Sequence, residues 1–244
     1  MKKLIALTFS ILAITSLDAQ KIGFWFDAGL KANVGPSLLY NQNILDDDTY
    51  DHQLSTGYGI GAKFGVFYGL YNGVNFDIML NQGVQKFRNE ITSDFVDHKV
   101  SWTSTDIAVL YRLQKEGIYI ELGPQFSLVN KVEQEGFGPS DVSEYYTENY
   151  TSGVFGFGGY LLGGGQFTLM FGIRAGYAFT DFISDEGQNL EYPRASTSQV
   201  DLVPYDSYTS TNPIFLQFVL EANFGLGYFA KTACSNRTAF FRFD

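Results

Sequence analysis

The chain has 244 residues, of which 45% are hydrophobic, 17% aromatic and only 17% charged, and it contains 26 glycines. Globular domains average roughly 25% charged residues and about 7% glycine, so charge is scarce here and glycine is in surplus. This composition excludes a disordered protein and a coiled coil, and a single cysteine, Cys234, excludes a disulfide-stapled domain. A formal net charge of −10, with 16 scattered basic residues, argues against a nucleic-acid partner.

The first residues have the features of an export signal. Lys2 and Lys3 are followed by an apolar run from Leu4 to Leu17 and by the small residue Ala19. This pattern predicts a secretory signal peptide over residues 1–19, and the apolar run is shorter than the roughly 20 residues of a membrane-spanning helix. We therefore expect an exported, acidic mature protein.

Apolar residues alternate with small or polar ones through most of the remaining sequence, which is typical of strands with two different faces. The alternation predicts eight strands, at about 22–34, 57–70, 74–81, 106–113, 118–128, 153–162, 167–180 and 214–227. Pro124 predicts an irregularity in the fifth strand, because proline cannot donate to the ladder, and the glycine-rich sixth strand leaves its register open. A spanning helix over 149–173, which has no charged residue, is opposed by three consecutive glycines, Gly163 to Gly165.

The predicted connections alternate in length. Short links with turn-forming residues occupy 71–73, 114–117 and 163–166, whereas long polar links occupy 35–56, 89–99, 130–152 and 184–213. Short turns at one end and long loops at the other are the arrangement of outer-membrane barrels, with periplasmic turns and extracellular loops.

The composition of the two strand faces indicates which one meets lipid. The polar face is mostly Gly, Ala, Ser, Thr, Asn and Gln, which is a poor soluble surface but suits the interior of a narrow barrel. The Phe, Tyr, Leu and Ile of the other face suit lipid, and a sheet in hydrocarbon must close. Five tyrosines near strand ends fit an interfacial girdle: Tyr58, Tyr68, Tyr111, Tyr177 and Tyr228.

The sequence therefore predicts an all-β fold, a closed eight-stranded antiparallel up-and-down transmembrane β-barrel over residues 20–230. A C-terminal tail over 231–244 is expected to be periplasmic or to end the barrel.

Several stretches also carry a family resemblance. They are FDAGLKANVG, GYGIGAKFGVFYGLYNGVNFDIML, IAVLYRLQKEGIYIELGPQFSL, GIRAGYAFTDF and QFVLEANFGLGYF. Together they resemble the eight-stranded outer-membrane β-barrel proteins of Bacteroidota, the group that includes the type IX secretion protein PorT. The resemblance implies this fold and the outer membrane of a Gram-negative bacterium, and it implies no catalytic residue.

Inward-facing polar positions would place four bases and five acids in the barrel: Asp27, Lys31, Lys63, Asp77, Asp106, Arg112, Glu121, Arg174 and Glu221. Because an unpaired buried charge costs several kcal/mol, we expect these side chains to pair and to plug the narrow lumen. Counting from the short turns predicts an upper tier of Asp27, Lys63, Asp106, Arg174 and Glu221, and a lower tier of Asp77, Arg112 and Glu121. A proton or ion path is the alternative.

The two histidines lie in repeats of the pattern Asp-His-x-x-Ser, at 51–55 and 97–101. The pattern raises the hypothesis of a lipid hydrolase with His52 or His98 as base, although both copies fall in or beside long loops. Acidic loop residues raise a calcium hypothesis but lack the spaced D-x-D-x-D-G pattern: Asp46, Asp47, Asp48, Asp51, Glu133, Glu135, Asp141, Glu144 and Glu148. We expect no catalytic, cofactor-binding or metal-binding residue.

The expected function is a structural or interaction role, as an accessory of a secretion or surface-assembly complex. Expected partners are outer-membrane lipid, the barrel-insertion machinery and a secretion-system or surface protein. An outer-membrane lipid-modifying enzyme and a narrow channel are the alternatives.

Overall fold

The computed structural model describes residues 22–47, 50–91, 94–136, 140–164, 166–194, 205–231 and 238–241. Its strands are β1 Ile22–Tyr40, β2 Tyr50–Gln53, β3 Ser55–Tyr68, β4 Asn72–Ile91, β5 Asp94–Lys115, β6 Ile118–Glu135, β7 Asn149–Gly164, β8 Phe167–Ala178, β9 Asn212–Lys231 and β10 Thr238–Phe241. Two short helices, α1 Gln42–Leu45 and α2 Asp185–Asn189, and a 3-10 turn Ser143–Tyr145 lie in the connections. The predicted signal peptide and Cys234 lie outside the described residues, and the signal peptide stays a prediction.

The long strands form a closed barrel. In the described part of the chain, β1 and β3 to β9 each pair antiparallel with the next, and β9 pairs back onto β1. The predicted eight-stranded barrel is confirmed. A path that starts at Gly227 of β9 and steps from each residue to its paired partner on the next strand returns to β9 at Leu216, not at Gly227. The strands are therefore staggered and tilted against the barrel axis.

The apolar face of the barrel points outward. Leu30, Ile60 and Leu122 are each about 60% exposed, whereas the charged side chains of the other face are buried. We call this outer surface the apolar belt; its exposed members include Leu30, Val34, Ile60, Phe64, Phe76, Ile78, Leu80, Ile107, Ile118, Ile120, Leu122, Phe126, Leu128, Phe155, Phe157, Phe171, Leu216, Phe218 and Leu220. Four tyrosines predicted for a girdle are exposed beside it: Tyr58, Tyr68, Tyr111 and Tyr177.

Residues 149–173, where a helix was the alternative, form most of the hairpin of β7 and β8. Among the residues described, no helix is long and apolar enough to cross a membrane. At Pro124 the β5–β6 ladder is interrupted without a change of register, between the pairs Ala108–Gln125 and Tyr111–Leu122. The register shift of this ladder lies between Thr103 and Ser104 instead. The open register of the sixth strand resolves as β7 with a bulge between Tyr160 and Leu162.

The strands extend farther than predicted at the long-loop end. The predicted loop 89–99 is wrong for its described residues, because β4 continues to Ile91, β5 begins at Asp94, and these two residues pair. Likewise β1 continues to Tyr40 and β6 to Glu135, inside regions predicted as loops. Beyond the apolar belt the outer face no longer needs apolar side chains, so the contrast between alternate residues fades while the ladder continues.

The described parts of the remaining connections fold over this end of the barrel instead of extending into solvent. Phe182 is fully buried there, with ring centroids 5.6 Å from Trp102, 5.0 Å from Tyr146 and 5.3 Å from Tyr150. Its backbone N–H donates to the Thr211 carbonyl at 2.9 Å, which joins the beginning and the end of the connection between β8 and β9. We call residues 41–47, 50–53, 140–148, 179–194 and 205–211 the loop cap.

Candidate functional site

The lumen holds all nine charged residues that the sequence predicts for it. Each of the nine residues is at most 6% exposed. They lie on β1, β3, β4, β5, β6, β8 and β9. Each lies at an inward position of its strand because side chains alternate between the two faces. The strand register then decides which charges meet.

Six of these side chains form a closed ring of alternating charge, in which every acid contacts two bases and every base contacts two acids. In order round this charge ring, the N···O distances are Glu221–Lys31 3.2 Å, Lys31–Asp77 2.6 Å, Asp77–Arg174 2.9 Å, Arg174–Glu121 2.6 Å, Glu121–Arg112 2.7 Å and Arg112–Glu221 2.8 Å. Breaking one contact of such a ring leaves a buried charge with incomplete compensation, which is costly.

Lys63 attaches a further acid to the ring. Its Nζ lies 2.8 Å from Glu221 and 3.0 Å from Asp27, so Glu221 contacts three bases. The assembly thus balances four bases against four acids. Asp106 lies apart from it and accepts hydrogen bonds from the side-chain amides of Asn81, at 2.6 Å, and Gln125, at 3.0 Å.

The two predicted tiers are wrong. Residues of the lower tier, such as Asp77, contact residues of the upper tier, such as Arg174, in a single network. Counting along each strand from its turn ignores the stagger between neighbouring strands, which shifts the height of a residue progressively round the barrel.

Uncharged side chains that the sequence-based prediction did not single out complete the site. Tyr119 presents its ring 4.1 Å from the Arg112 guanidinium carbon, and Asn223 donates to Glu221 at 2.7 Å. Asn75, with its side-chain oxygen turned toward Arg112, accepts from Nη2 at 3.1 Å and Nε at 2.6 Å. These residues occupy inward positions of the same strands as the charged residues, so the alternation of the sequence could have identified them as lumen residues.

Inward glycines supply the space for this network. Gly156 on β7 is paired with Glu121 on β6, and a Cβ at Gly156 would lie 2.9 Å from Cγ and Oε1 of Glu121. On β1, a Cβ at Gly29 would lie 2.4 Å from the side-chain oxygen of Asn223. The glycine surplus of the sequence is therefore partly explained by long polar side chains lying across the lumen.

The short-turn end of the lumen is narrowed by aromatic rings. Trp25 stacks on Phe67 with a centroid separation of 3.8 Å, and its indole N–H donates to the Gly69 carbonyl at 3.0 Å. A pocket of about 110 Å³ beside Trp25 is also lined by Asp27 and Asn223, so it borders the charge network. The opposite end is covered by the loop cap.

The barrel architecture is similar to that of solved outer-membrane proteins. The outer membrane protein OprG from Pseudomonas aeruginosa is 11% identical, with 86% of this chain and 96% of that chain covered and a TM-score of 0.37. Neisserial surface protein A is 12% identical (80% and 95% covered, TM-score 0.37), and the outer membrane protein AlkL is 14% identical (86% and 93% covered, TM-score 0.38). No protein-family model and no curated protein matches the chain.

The two Asp-His-x-x-Ser segments lie at the cap end of the barrel. Phe87 on β4 pairs with His52 on β2 and with His98 on β5, and its ring centroid lies 5.2 and 5.7 Å from theirs. The hydroxyl of Ser55 donates to the Gln53 carbonyl at 2.9 Å and accepts from the Lys86 backbone N–H at 2.7 Å, so backbone groups hold this serine.

Burial governs the protonation of both histidines, which lie beyond the apolar belt. It lowers the pKa of His98 to about 4 and also lowers the pKa of His52, so both imidazoles are neutral at pH 7. Within the described ranges, no group of three or more His, Cys, Asp or Glu residues is placed to hold a metal ion. Asp48, part of the acidic run considered for calcium, lies outside those ranges.

Proposed function

We propose that this chain is an outer-membrane β-barrel that spans the bilayer as a sealed scaffold and acts by interaction through its loop cap. The charge ring is the observation that supports a closed lumen. Its side chains reach across the lumen from β1, β4, β5, β6, β8 and β9 and leave their charged groups compensated by one another. Ion passage would require these contacts to separate in a low-dielectric interior, which is strongly unfavourable.

Membrane placement is supported by the outer surface of the barrel. Large apolar side chains are exposed all round it, and closure leaves the long strands of the belt without an open edge in hydrocarbon. We further propose the outer membrane of a Gram-negative bacterium, with the loop cap outside the cell. A secretion-system or surface-assembly protein is the proposed partner.

Single-channel recording in planar bilayers tests the seal. The purified, refolded protein should give no stable conductance step at neutral pH, while a porin reconstituted in parallel should give its usual steps. Reproducible conductance from the wild-type barrel would contradict the sealed scaffold and favour the narrow channel.

Crosslinking in native outer membranes tests the interaction role. A tagged chain should capture a defined envelope protein, and the crosslinks should map to the loop cap. Crosslinks confined to the short-turn end, or a chain recovered alone under conditions that capture a known complex, would count against this role.

A further inference from the structure

The loop cap contains a pocket of about 180 Å³ that the charge ring and the histidines do not touch. It lies where α1, the segment from α2 to Tyr192, and residues 205–209 meet. Its lining combines aromatic rings with neutral hydrogen-bonding groups, chiefly Tyr192, Tyr205, Tyr208, Asn43, Gln188 and Asn189. Concave sites of this mixed character are where small molecules bind, the polar groups fixing their orientation.

The carboxamides of the pocket are held in place by the backbone. Asn43 donates to the Ser207 carbonyl at 2.6 Å, Gln188 to the Ile183 carbonyl at 3.5 Å, and Asn189 to the Asp185 carbonyl at 3.0 Å. A carboxamide has two N–H donors and an acceptor oxygen, so one such bond leaves capacity for both donating and accepting. A ligand hydroxyl, which also donates and accepts, matches these groups.

The tyrosine rings are also fixed. Tyr205 donates its hydroxyl to Asp47 at 2.9 Å, and Tyr208 donates its hydroxyl to Asp181. Burial, together with these carboxylates, raises the pKa of both phenols, so both remain neutral. Anchored rings offer apolar surface at little cost in side-chain entropy, which suits the C–H face of a sugar ring.

The charges round the pocket select against other ligand classes. Asp46, Asp185, Glu186 and Asp206 are exposed on the same segments and would repel an anion. These exposed acids lie outside the lining, and the carboxylate that does line the pocket, Glu191, is already engaged, because it lies 3.2 Å from Arg194 and accepts from the Tyr205 backbone N–H at 3.0 Å. Both considerations favour an uncharged, polyhydroxylated ligand.

We infer that this pocket binds one neutral sugar residue of a glycan. The inference deepens the proposed function, since it names a ligand class for the loop cap, and it rests on that function for its biological setting. Binding itself can be measured on purified protein without reference to membrane orientation or conductance. A monosaccharide of about twelve heavy atoms in a small pocket should bind with a Kd on the order of 1 mM.

Saturation-transfer NMR on the full chain in an amine-oxide detergent, which unlike alkyl glycosides has no sugar head group, tests the inference. The probes are the methyl glycosides of glucose, galactose, mannose and N-acetylglucosamine, with glucuronate as the anion and tetramethylammonium as the cation. At least one neutral glycoside should show saturable binding. Failure of all four, or stronger binding of either charged probe, would overturn the inference.

Two variants locate the site. Tyr208→Ala should weaken binding about tenfold by removing a ring face, and Asn189→Ala, at an exposed position, should weaken it about threefold. Tyr71→Ala, a tyrosine of similar exposure in a turn at the other end of the barrel, is the matched control and should bind as wild type. Wild-type affinity in both pocket variants would overturn the assignment of the site. The sealed scaffold is tested separately by single-channel recording, so it would stand if the barrel gave no conductance even though sugar binding failed.

Discussion

Arg112 and Glu221 meet across the lumen in a two-pronged contact, with Nη1 to Oε1 and Nη2 to Oε2 each at 2.8 Å. The planar guanidinium matches the carboxylate in this geometry, which makes it stronger and more directional than a single contact. The same carboxylate also contacts Lys31 at 3.2 Å and Lys63 at 2.8 Å. Glu221 is therefore the residue on which most of the compensation in the lumen depends.

Glu221→Gln should be strongly destabilising. The amide keeps the shape of the side chain but leaves the buried bases with one uncompensated positive charge, a change worth about 3–5 kcal/mol. Urea unfolding of the refolded barrel in lipid vesicles, followed by tryptophan fluorescence, measures the difference in the free energy of unfolding.

Asp106→Asn is the matched control for that variant. Asp106 is also a buried lumen carboxylate, but it lies outside the charge ring and accepts from uncharged groups that include the amides of Asn81 and Gln125. Its replacement should cost about 1 kcal/mol. A loss for Glu221→Gln no greater than for Asp106→Asn would contradict the central place of Glu221.

The sequence carries enough information to predict the barrel and the inward set of charges. Alternation through stretches such as Phe167 to Phe179 decides which side chains face the lumen, because strand periodicity is a local property. Strand ends were not predictable in the same way. Around His98 the outer face leaves the apolar belt, so the pattern that marks a strand disappears although the ladder continues.

The connectivity of the site depends on relations that no single stretch contains. Arg112 reaches Glu221 only because the stagger of every ladder places β5 and β9 at matching heights across the lumen. The loop cap is similarly non-local, since Phe182 packs on Trp102 and Tyr150. The sequence indicated long polar loops there, but their folding into an aromatic core depends on contacts between distant segments.

Gly83→Ala should destabilise the barrel near the loop cap. Gly83 is paired with Trp102, and a Cβ there would lie 2.2 Å from the ring atoms Cε2 and Cζ2, so the indole must move. Overpacking of this kind costs about 1–3 kcal/mol. In a Trp25→Phe background, the emission of Trp102 reports the displacement together with the lowered urea midpoint.

Gly164→Ala provides the comparison for that substitution. A Cβ at Gly164 would meet nothing within 4 Å, so the alanine should leave stability and fluorescence close to those of the parent. If the two alanines had equal effects, the requirement for glycine at position 83 would not come from the space that the Trp102 ring occupies.

Leu122→Arg tests whether the apolar belt faces hydrocarbon. Leu122 is 59% exposed and lies midway between Ile118 and Leu128, the outermost exposed apolar residues of β6. An arginine near the bilayer midplane destabilises a barrel by about 2–4 kcal/mol. Leu54→Arg, at an 85% exposed position outside the belt, should change stability by less than about 1 kcal/mol. Comparable tolerance of both arginines in lipid vesicles would argue that water, not lipid, surrounds the belt.

The stability of the barrel at the end that the loop cap covers, where His98 is buried on β5, should fall as the pH is lowered from about 6.5 to about 4. Burial lowers the pKa of His98 from 6.5 to about 4, so in this window the unfolded chain binds a proton that the folded chain does not. Stability therefore rises with pH across the window, by up to about 3 kcal/mol in total, and is fully present above pH 6.5. Near-UV circular dichroism of urea unfolding at pH 4, 5, 6 and 7 measures the slope. The variant His98→Gln should reduce this slope, whereas His52→Gln should retain most of it. Carboxylates that titrate in the same pH range contribute equally to the wild type and to His98→Gln, so the difference between the two profiles isolates the contribution of His98. Parallel profiles for the wild type and His98→Gln would show that the neutral imidazole of His98 is not the source of the acid sensitivity.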